Sequence, residues 1–434
     1  MLPNSIEFYL FLSMLLVALA VIKNYQTLIL LMGSAAFIVT SQFAILPQML
    51  VILITYYGGY FVKKFPEKKR ILLALIVFGV LTQLALFKYL PGMLLPLGIS
   101  YYSFMALGYV IDVYRGKLQP TTSLIEYVLF VSFFPVITSG PIIRARDFFA
   151  QIKDPLKITS ENFQQGLTLI TIGLIMKLVI ADNLALYVDP IFANPMNFQS
   201  RKIILATLAF GVQLYFDFGG YSNIALGTAR VLGFKFPMNF NNPYFAMNPQ
   251  DFWHRWNISL SCWLRDYLYI PLGGNRKGEG RTYINLMITM LACGLWHGAT
   301  WNFLLWGGYH GVLLSLHRLI RLPDNRILSL AGILVTQYLI FFGWLVFKVS
   351  NINNLEYCLS KFLIPTGFTY VDLAVGSTII AVLLLLRTKI ANNNWMSHIG
   401  SFRPIYWFLY LLIAINLIYW ASPVKVTKFI YSGF

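Results

Sequence analysis

Residues 202–222 read Lys202-Ile-Ile-Leu-Ala-Thr-Leu-Ala-Phe-Gly-Val-Gln-Leu-Tyr215-Phe-Asp217-Phe-Gly-Gly-Tyr221-Ser222. An almost wholly apolar run, 202–216, leads straight into a carboxylate, a glycine pair and two hydroxyls. Ionisable groups at membrane depth are costly and default to a functional role, so this one stretch poses both the fold and the function. Similar apolar segments lie at 6–22, 25–40, 43–62, 71–90, 94–112, 123–141 and 163–181, and again at 283–296, 300–320, 330–347, 370–386 and 405–421. Many are long enough to cross a bilayer, which takes about 20 residues per helix. Composition agrees: 58% of residues are hydrophobic and 11% charged, against about 25% charged in soluble domains. Mean hydropathy is +0.67. A backbone in lipid must satisfy its own hydrogen bonds, which favours helices. The fold expected is an all-α polytopic membrane protein, a bundle of about eleven or twelve transmembrane helices with re-entrant or interfacial pieces in its middle. One membrane-embedded domain spans 1–434, with a tail at 422–434.

The net charge of +17 does not imply nucleic acid. Much of it sits in short loops: Lys63, Lys64, Lys68, Lys69 and Arg70 in one, Arg276, Lys277 and Arg281 in another. The positive-inside bias retains such loops in the cytoplasm. Counting crossings back from Lys63 puts the N-terminus outside. The first residues lack a basic stretch, so the first apolar run reads as retained rather than cleaved. Cys262, Cys293 and Cys358 are far apart and read as small buried hydrophobes.

The polar interruption of 215–310 carries the function. After Asp217, Tyr221 and Ser222 come Asp251-Phe-Trp253-His254-Arg255-Trp256-Asn257-Ile-Ser259 and Trp263-Leu-Arg265-Asp266-Tyr267. Then come Gly294-Leu-Trp296-His297-Gly298-Ala-Thr-Trp301-Asn302 and Trp306-Gly-Gly-Tyr-His310-Gly311. So many polar groups beside glycines imply a polar cavity within the bundle.

His297, at the end of an apolar segment, is the strongest candidate general base, since imidazole titrates near neutral pH. The alternative is a structural histidine hydrogen-bonded inside the bundle. His310 reads as structural support, His317 as a solvated edge beside Arg318, and His398 as a loop residue. No HExxH motif or i, i+4 histidine pair points to zinc, no GxSxG elbow to a serine hydrolase, and no glycine spacing to a phosphate loop. Arg255 and Arg265 have two readings: clamps on an anionic donor through charge-assisted hydrogen bonds, or members of an ion-pair network with Asp266 among interfacial tryptophans.

The span from Pro96 to Gly311 resembles the membrane-bound O-acyltransferase family, above all its bacterial alginate and peptidoglycan O-acetylation branches. The teichoic acid D-alanyl-transfer branch is a more distant likeness. The matching pieces are Pro96-Leu-Gly-Ile-Ser-Tyr-Tyr-Ser-Phe, Gly140-Pro-Ile-Ile-Arg144, the motif at 215–222, Phe252 to Ser261, Trp263 to Arg276, and Gly294-Leu-Trp-His-Gly298. The resemblance implies a bundle pierced by a polar tunnel, with His297 as catalytic histidine. It sets Asn257 at a second family position that is usually histidine in close bacterial relatives. Asparagine exchanges no proton near neutral pH, so Asn257 is expected to orient an acyl or acceptor group. His254 would share a helical face with Asn257 at i, i+3. Asp217, Tyr221, Ser222, Trp253, Arg255, Trp256, Ser259, Trp263, Arg265, Asp266, Tyr267, Trp296, Asn302 and His310 are expected to line the tunnel or bind substrate.

The implied reaction carries an acyl group across the bacterial cytoplasmic membrane, from acetyl-CoA on the inner side to a polysaccharide outside, peptidoglycan first and exopolysaccharide second. No bound cofactor is expected. The expected partners are the cytoplasmic donor, an extracytoplasmic acetyltransferase or glycan acceptor protein, and membrane lipids. Phe429-Ile-Tyr431-Ser-Gly-Phe434 resembles the end of the small single-helix partner of D-alanylation systems. That likeness makes Tyr431 a candidate acyl relay, which needs a base such as His297 because a phenol has a pKa near 10. An aromatic interfacial anchor is the alternative. Other classes left open are D-alanyl transfer, a non-catalytic transporter of an acylated substrate, and an envelope scaffold.

Overall fold

A computed structural model of the chain describes residues 3–40, 45–90, 92, 93, 95–320, 326–370, 398–424, 427, 429 and 430. The apolar segment expected at 370–386 and the tyrosine of the tail motif, Tyr431, lie outside the described residues. Among the described residues the regular structure is helical, with no strand. The chain divides into two compact units: Met1–Gly173 with Tyr221–Met238, and Leu174–Gly220 with Asn239–Phe434.

The first unit holds α1 (Ile6–Val21), α2 (Gln26–Thr40), α3 (Ile45–Lys64), α4 (Lys69–Tyr89), α5 (Ile99–Tyr114), α6 (Leu124–Ser132), α7 (Phe134–Ile137), α8 (Ala145–Ile152) and α9 (Ser160–Leu174). The polar Lys23-Asn24-Tyr25 turn bends α1 against α2 by 110°. The pair is a broken span or a re-entrant loop instead of two separate crossings at 6–22 and 25–40, and the count that put the N-terminus outside loses its first step. The core is aromatic: Phe133 lies 4.7 Å from Phe234, and Phe148 stacks on Phe234 at 5.4 Å between centroids.

The second unit begins with a π-helical turn, Ile175–Ala181, that joins α9 to α10 (Asp182–Ala193). α11 (Ser200–Val231) starts here and ends in the first unit. Next come α12 (Pro249–Arg255), α13 (Ile258–Leu264), a second π turn (Arg265–Tyr269), α14 (Glu279–His297) and α15 (Trp301–Leu319). α16 (Arg326–Lys348), α17 (Ile352–Leu363) and α18 (Pro404–Ala421) complete the unit.

Among the described residues six helices are long and apolar enough to cross a membrane, or seven with the bent pair: α3, α4, residues 160–193, α11, residues 331–348 and α18. On α4 and α18 large apolar side chains face outward, Phe78 and Ile413 among them. In water these would form patches of a size that soluble proteins avoid; in a bilayer they are the lipid contact. The chain is a multi-pass membrane protein. α14 and α15 fall outside the spanning set, because Glu279, Arg281 and Arg318, with asparagine and histidine, dilute their hydropathy.

Candidate active site

α14 and α15 cross so closely that only glycine fits between them. A Cβ on Gly294 would lie 2.2 Å from the Phe303 carbonyl oxygen, and one on Gly307 would lie 2.4 Å from that of Met290. This seam brings the last residue of α14, His297, against α15. The imidazole is 3% exposed. It sits 4.9 Å from the Trp296 ring, 5.1 Å from Trp306 and 5.2 Å from Phe347 of α16. Gly298, just past the helix, leaves room for the Phe303 ring, which a Cβ would approach to 2.6 Å. Asn302 ties α15 to the end of α16 by donating from Nδ2 to the Phe347 carbonyl at 2.8 Å.

α12 approaches the same place. Asn248 caps it, its side chain accepting the Asp251 N–H at 2.8 Å, with Pro249 at the first turn. Trp253 thereby comes 5.7 Å from Trp306 and 5.2 Å from His310, and Trp306 is 4.7 Å from His310. The cage is aromatic yet rich in unsatisfied polarity. Nε1 of Trp253 and of Trp306, Oδ1 of Asn302 and both ring nitrogens of His310 are buried without a hydrogen-bond partner among the described residues. Buried polar groups are normally paired, which sets these atoms apart from the rest of the aromatic packing. An α16 glycine makes room for His310: a Cβ on Gly343 would lie 3.1 Å from its Nε2.

The expected helical pairing of His254 with Asn257 does not occur. α12 stops at Arg255, and Asn257 takes a left-handed conformation with φ +42° before α13. Asparagine tolerates that region because its short side chain bonds locally. Asn239 secures the turn: its Nδ2 donates to Asn257 Oδ1 at 3.3 Å, its Oδ1 accepts the Ser259 N–H at 3.0 Å, and its carbonyl accepts the Ile258 N–H at 2.9 Å. Asn257 is therefore buried while His254 faces outward. Beside it, Trp256 stacks on Phe252 at 5.6 Å and lies 4.8 Å from Trp344. Tyr244 donates to the Gly211 carbonyl, and burial pushes its phenol well above the ordinary value, so it stays a neutral donor.

The remaining expected residues are dispersed. Arg255 pairs with Asp251 at 2.7 Å, and Arg265 with Asp266 at 2.8 Å near the surface. That Asp266 hydrogen bond holds the Arg265 guanidinium above its ordinary pKa. Trp263 and Tyr267 pack on each other at 5.1 Å. Asp217 joins Lys177, 2.7 Å away, while Tyr221 and Ser222 fall in the first unit. Sequence reasoning missed Asn239, Lys177, Asp182, Trp344 and Phe347. The last two stand in a plain apolar run with no local sign of a role.

Residues 117–323 match the membrane-bound O-acyltransferase family. A probable alginate O-acetylase of Pseudomonas fluorescens is 39% identical over 344 residues, 76% of this chain and 69% of that protein. The chain belongs to the membrane-bound O-acyltransferase family. A probable alginate O-acetylase of Pseudomonas putida is 43% identical over 267 residues, 61% of this chain and 54% of the relative. The peptidoglycan O-acetyltransferase of Helicobacter pylori is 37% identical over 292 residues, 60% of this chain and 55% of the relative. The chain thus spans about half the length of these last two relatives. The aromatic cage from Trp253 to His310 lies wholly inside the family match, and α16 completes it from beyond the match.

Proposed function

We propose that this chain is an O-acyltransferase of the cytoplasmic membrane that moves an acetyl group from acetyl-CoA to hydroxyls of an extracytoplasmic polysaccharide. The observation that carries the reading is His297, an imidazole at a helix end, enclosed by Trp296, Trp306 and Phe347 beside unpaired polar atoms of Trp253, Asn302 and His310. His297 is the general base. It takes the proton of an attacking hydroxyl as that oxygen bonds to the thioester carbonyl; the C–S bond then breaks and the thiolate leaves to take up a proton. Enclosure in rings excludes competing water and strengthens electrostatic contacts to the developing oxyanion. Asn257 orients a substrate group.

The first attacking hydroxyl is that of Tyr431, giving an acyl-tyrosine that a sugar hydroxyl then attacks, with return of the phenol proton. The family likeness of the tail motif supports this relay. Sequence reading put peptidoglycan first as acceptor; the higher identity to the alginate O-acetylases moves an exopolysaccharide ahead of it. An extracytoplasmic acetyltransferase or acceptor protein completes the transfer.

The test is peptide mass spectrometry after incubating membranes holding wild type, His297→Ala or Tyr431→Phe with labelled acetyl-CoA, together with acetate release from the cell's polysaccharides. Label on Tyr431 that is absent from both variants, with acetylated glycan lost in step, is the expected result. Acetylated glycan persisting in His297→Ala cells would refute the catalytic assignment and favour a transporter. Unchanged acetylation in Tyr431→Phe would remove the relay alone.

A further inference from the structure

The deepest charges of the second unit belong to Lys177, Asp182 and Asp217, whose side chains are no more than 2% exposed. The acyl-transfer scheme uses none of them. Lys177 stands in the π turn, where the Asp182 N–H bonds the Lys177 carbonyl. This i→i+5 closure widens the helix and brings residues five apart together, with Lys177 Nζ 2.7 Å from Asp182 Oδ1. α11 contributes Asp217, whose Oδ1 is also 2.7 Å from Nζ. One ammonium here serves two carboxyl groups, and such buried groups are tolerated only where hydrogen bonds meet their remaining lone pairs.

One segment supplies several such bonds, while Asp182 Oδ2 is left without a partner among the described residues. The Thr427 hydroxyl donates to Asp182 Oδ1. The Thr427 carbonyl and hydroxyl accept from Lys177 Nζ at 3.1 and 3.2 Å. The Ile430 N–H donates to Asp217 Oδ2 at 2.9 Å, and the Phe429 ring lies 6.0 Å from Phe218. Where α18 ends, Asn183 Nδ2 donates to the Ala421 carbonyl at 2.8 Å. These contacts grip mainly backbone, plus one hydroxyl, so they select register more than side-chain identity.

We infer that Lys177, Asp182 and Asp217 form a docking site for the chain's own C-terminal segment, engaged by Thr427 and Ile430, and are positioning residues for the tail motif that follows. The consequence for catalysis rests on the Tyr431 relay; the docking does not.

The segment carries its own probes, since trypsin cuts after Lys425 and Lys428. The full chain in detergent is digested and followed by mass spectrometry, with cleavage in the 63–70 loop as an internal control of folding. Thr427→Val and Asp217→Asn are expected to speed cleavage at Lys425 and Lys428 by about tenfold or more, as the segment's open population rises. Thr427→Ser keeps the wild-type rate, and the control loop is cut equally in all. A Thr427→Val rate within about twofold of wild type would overturn the docking site, as would Thr427→Ser cleaving as fast as the valine variant. In the acetylation assay, Thr427→Val lowers kcat and leaves KM for acetyl-CoA unchanged. Protection lost with transfer fully retained would confirm the docking site and remove the relay.

Discussion

Replacing Gly294 by alanine tests whether the α14–α15 seam is what positions His297. The added Cβ would sit 2.2 Å from the Phe303 carbonyl oxygen, 3.1 Å from its carbon and 3.3 Å from Gly307 Cα. Close C–H···O contacts keep carbon and oxygen about 3.3 Å apart, so the helices must part by roughly 1 Å. The neighbours are backbone and cannot rotate away, as a side chain would. Overpacking of this kind costs about 1–3 kcal/mol. Gly294 lies one helical turn before His297, so the same shift moves the imidazole, and a 1 Å misplacement costs on the order of 100-fold in rate. Gly308→Ala is the control: its Cβ would meet only Leu291 Cδ2 at 3.7 Å. That change is expected to leave transfer intact and to stabilise by roughly 0.5–1 kcal/mol through the helix interior. The assay pairs thermal melting in detergent with acetyl transfer in membranes. Gly294→Ala with wild-type melting and full transfer would refute the reasoning, and so would equal damage from Gly308→Ala.

Asn257→Ala keeps a Cβ at φ +42° but loses the short polar side chain that makes this conformation tolerable, and it removes the acceptor that Asn239 uses; for an ordinary residue the left-handed conformation costs about 1–2 kcal/mol. Asn257→Gly, free of that strain, should melt above the alanine variant, while a higher melting point for alanine would argue against a strained turn. Asn302→Leu removes the buried hydrogen bond to the Phe347 carbonyl, for an expected loss of about 1–3 kcal/mol. Melting of the leucine variant gives the figure, and an unchanged curve would show that α16 is held to α15 by ring packing alone.

Much of this protein was legible in the residues themselves. Hydropathy and charge are local properties, and they led to a helical membrane protein. The Trp/Gly/His clusters at 294–298 and 306–311 marked the two helices that do meet around His297. Tertiary structure alone decided the rest. Asn257 left the helix because its turn is bonded by Asn239, distant in sequence. Trp344 and Phe347 joined the cage from a run that looks like any other apolar span. Lys177, Asp182 and Asp217 became one cluster only where a π turn, a second helix, Thr427 and Ile430 converge. Local composition records what a segment can bury, whereas the partner it buries against is set by packing between segments far apart in the chain.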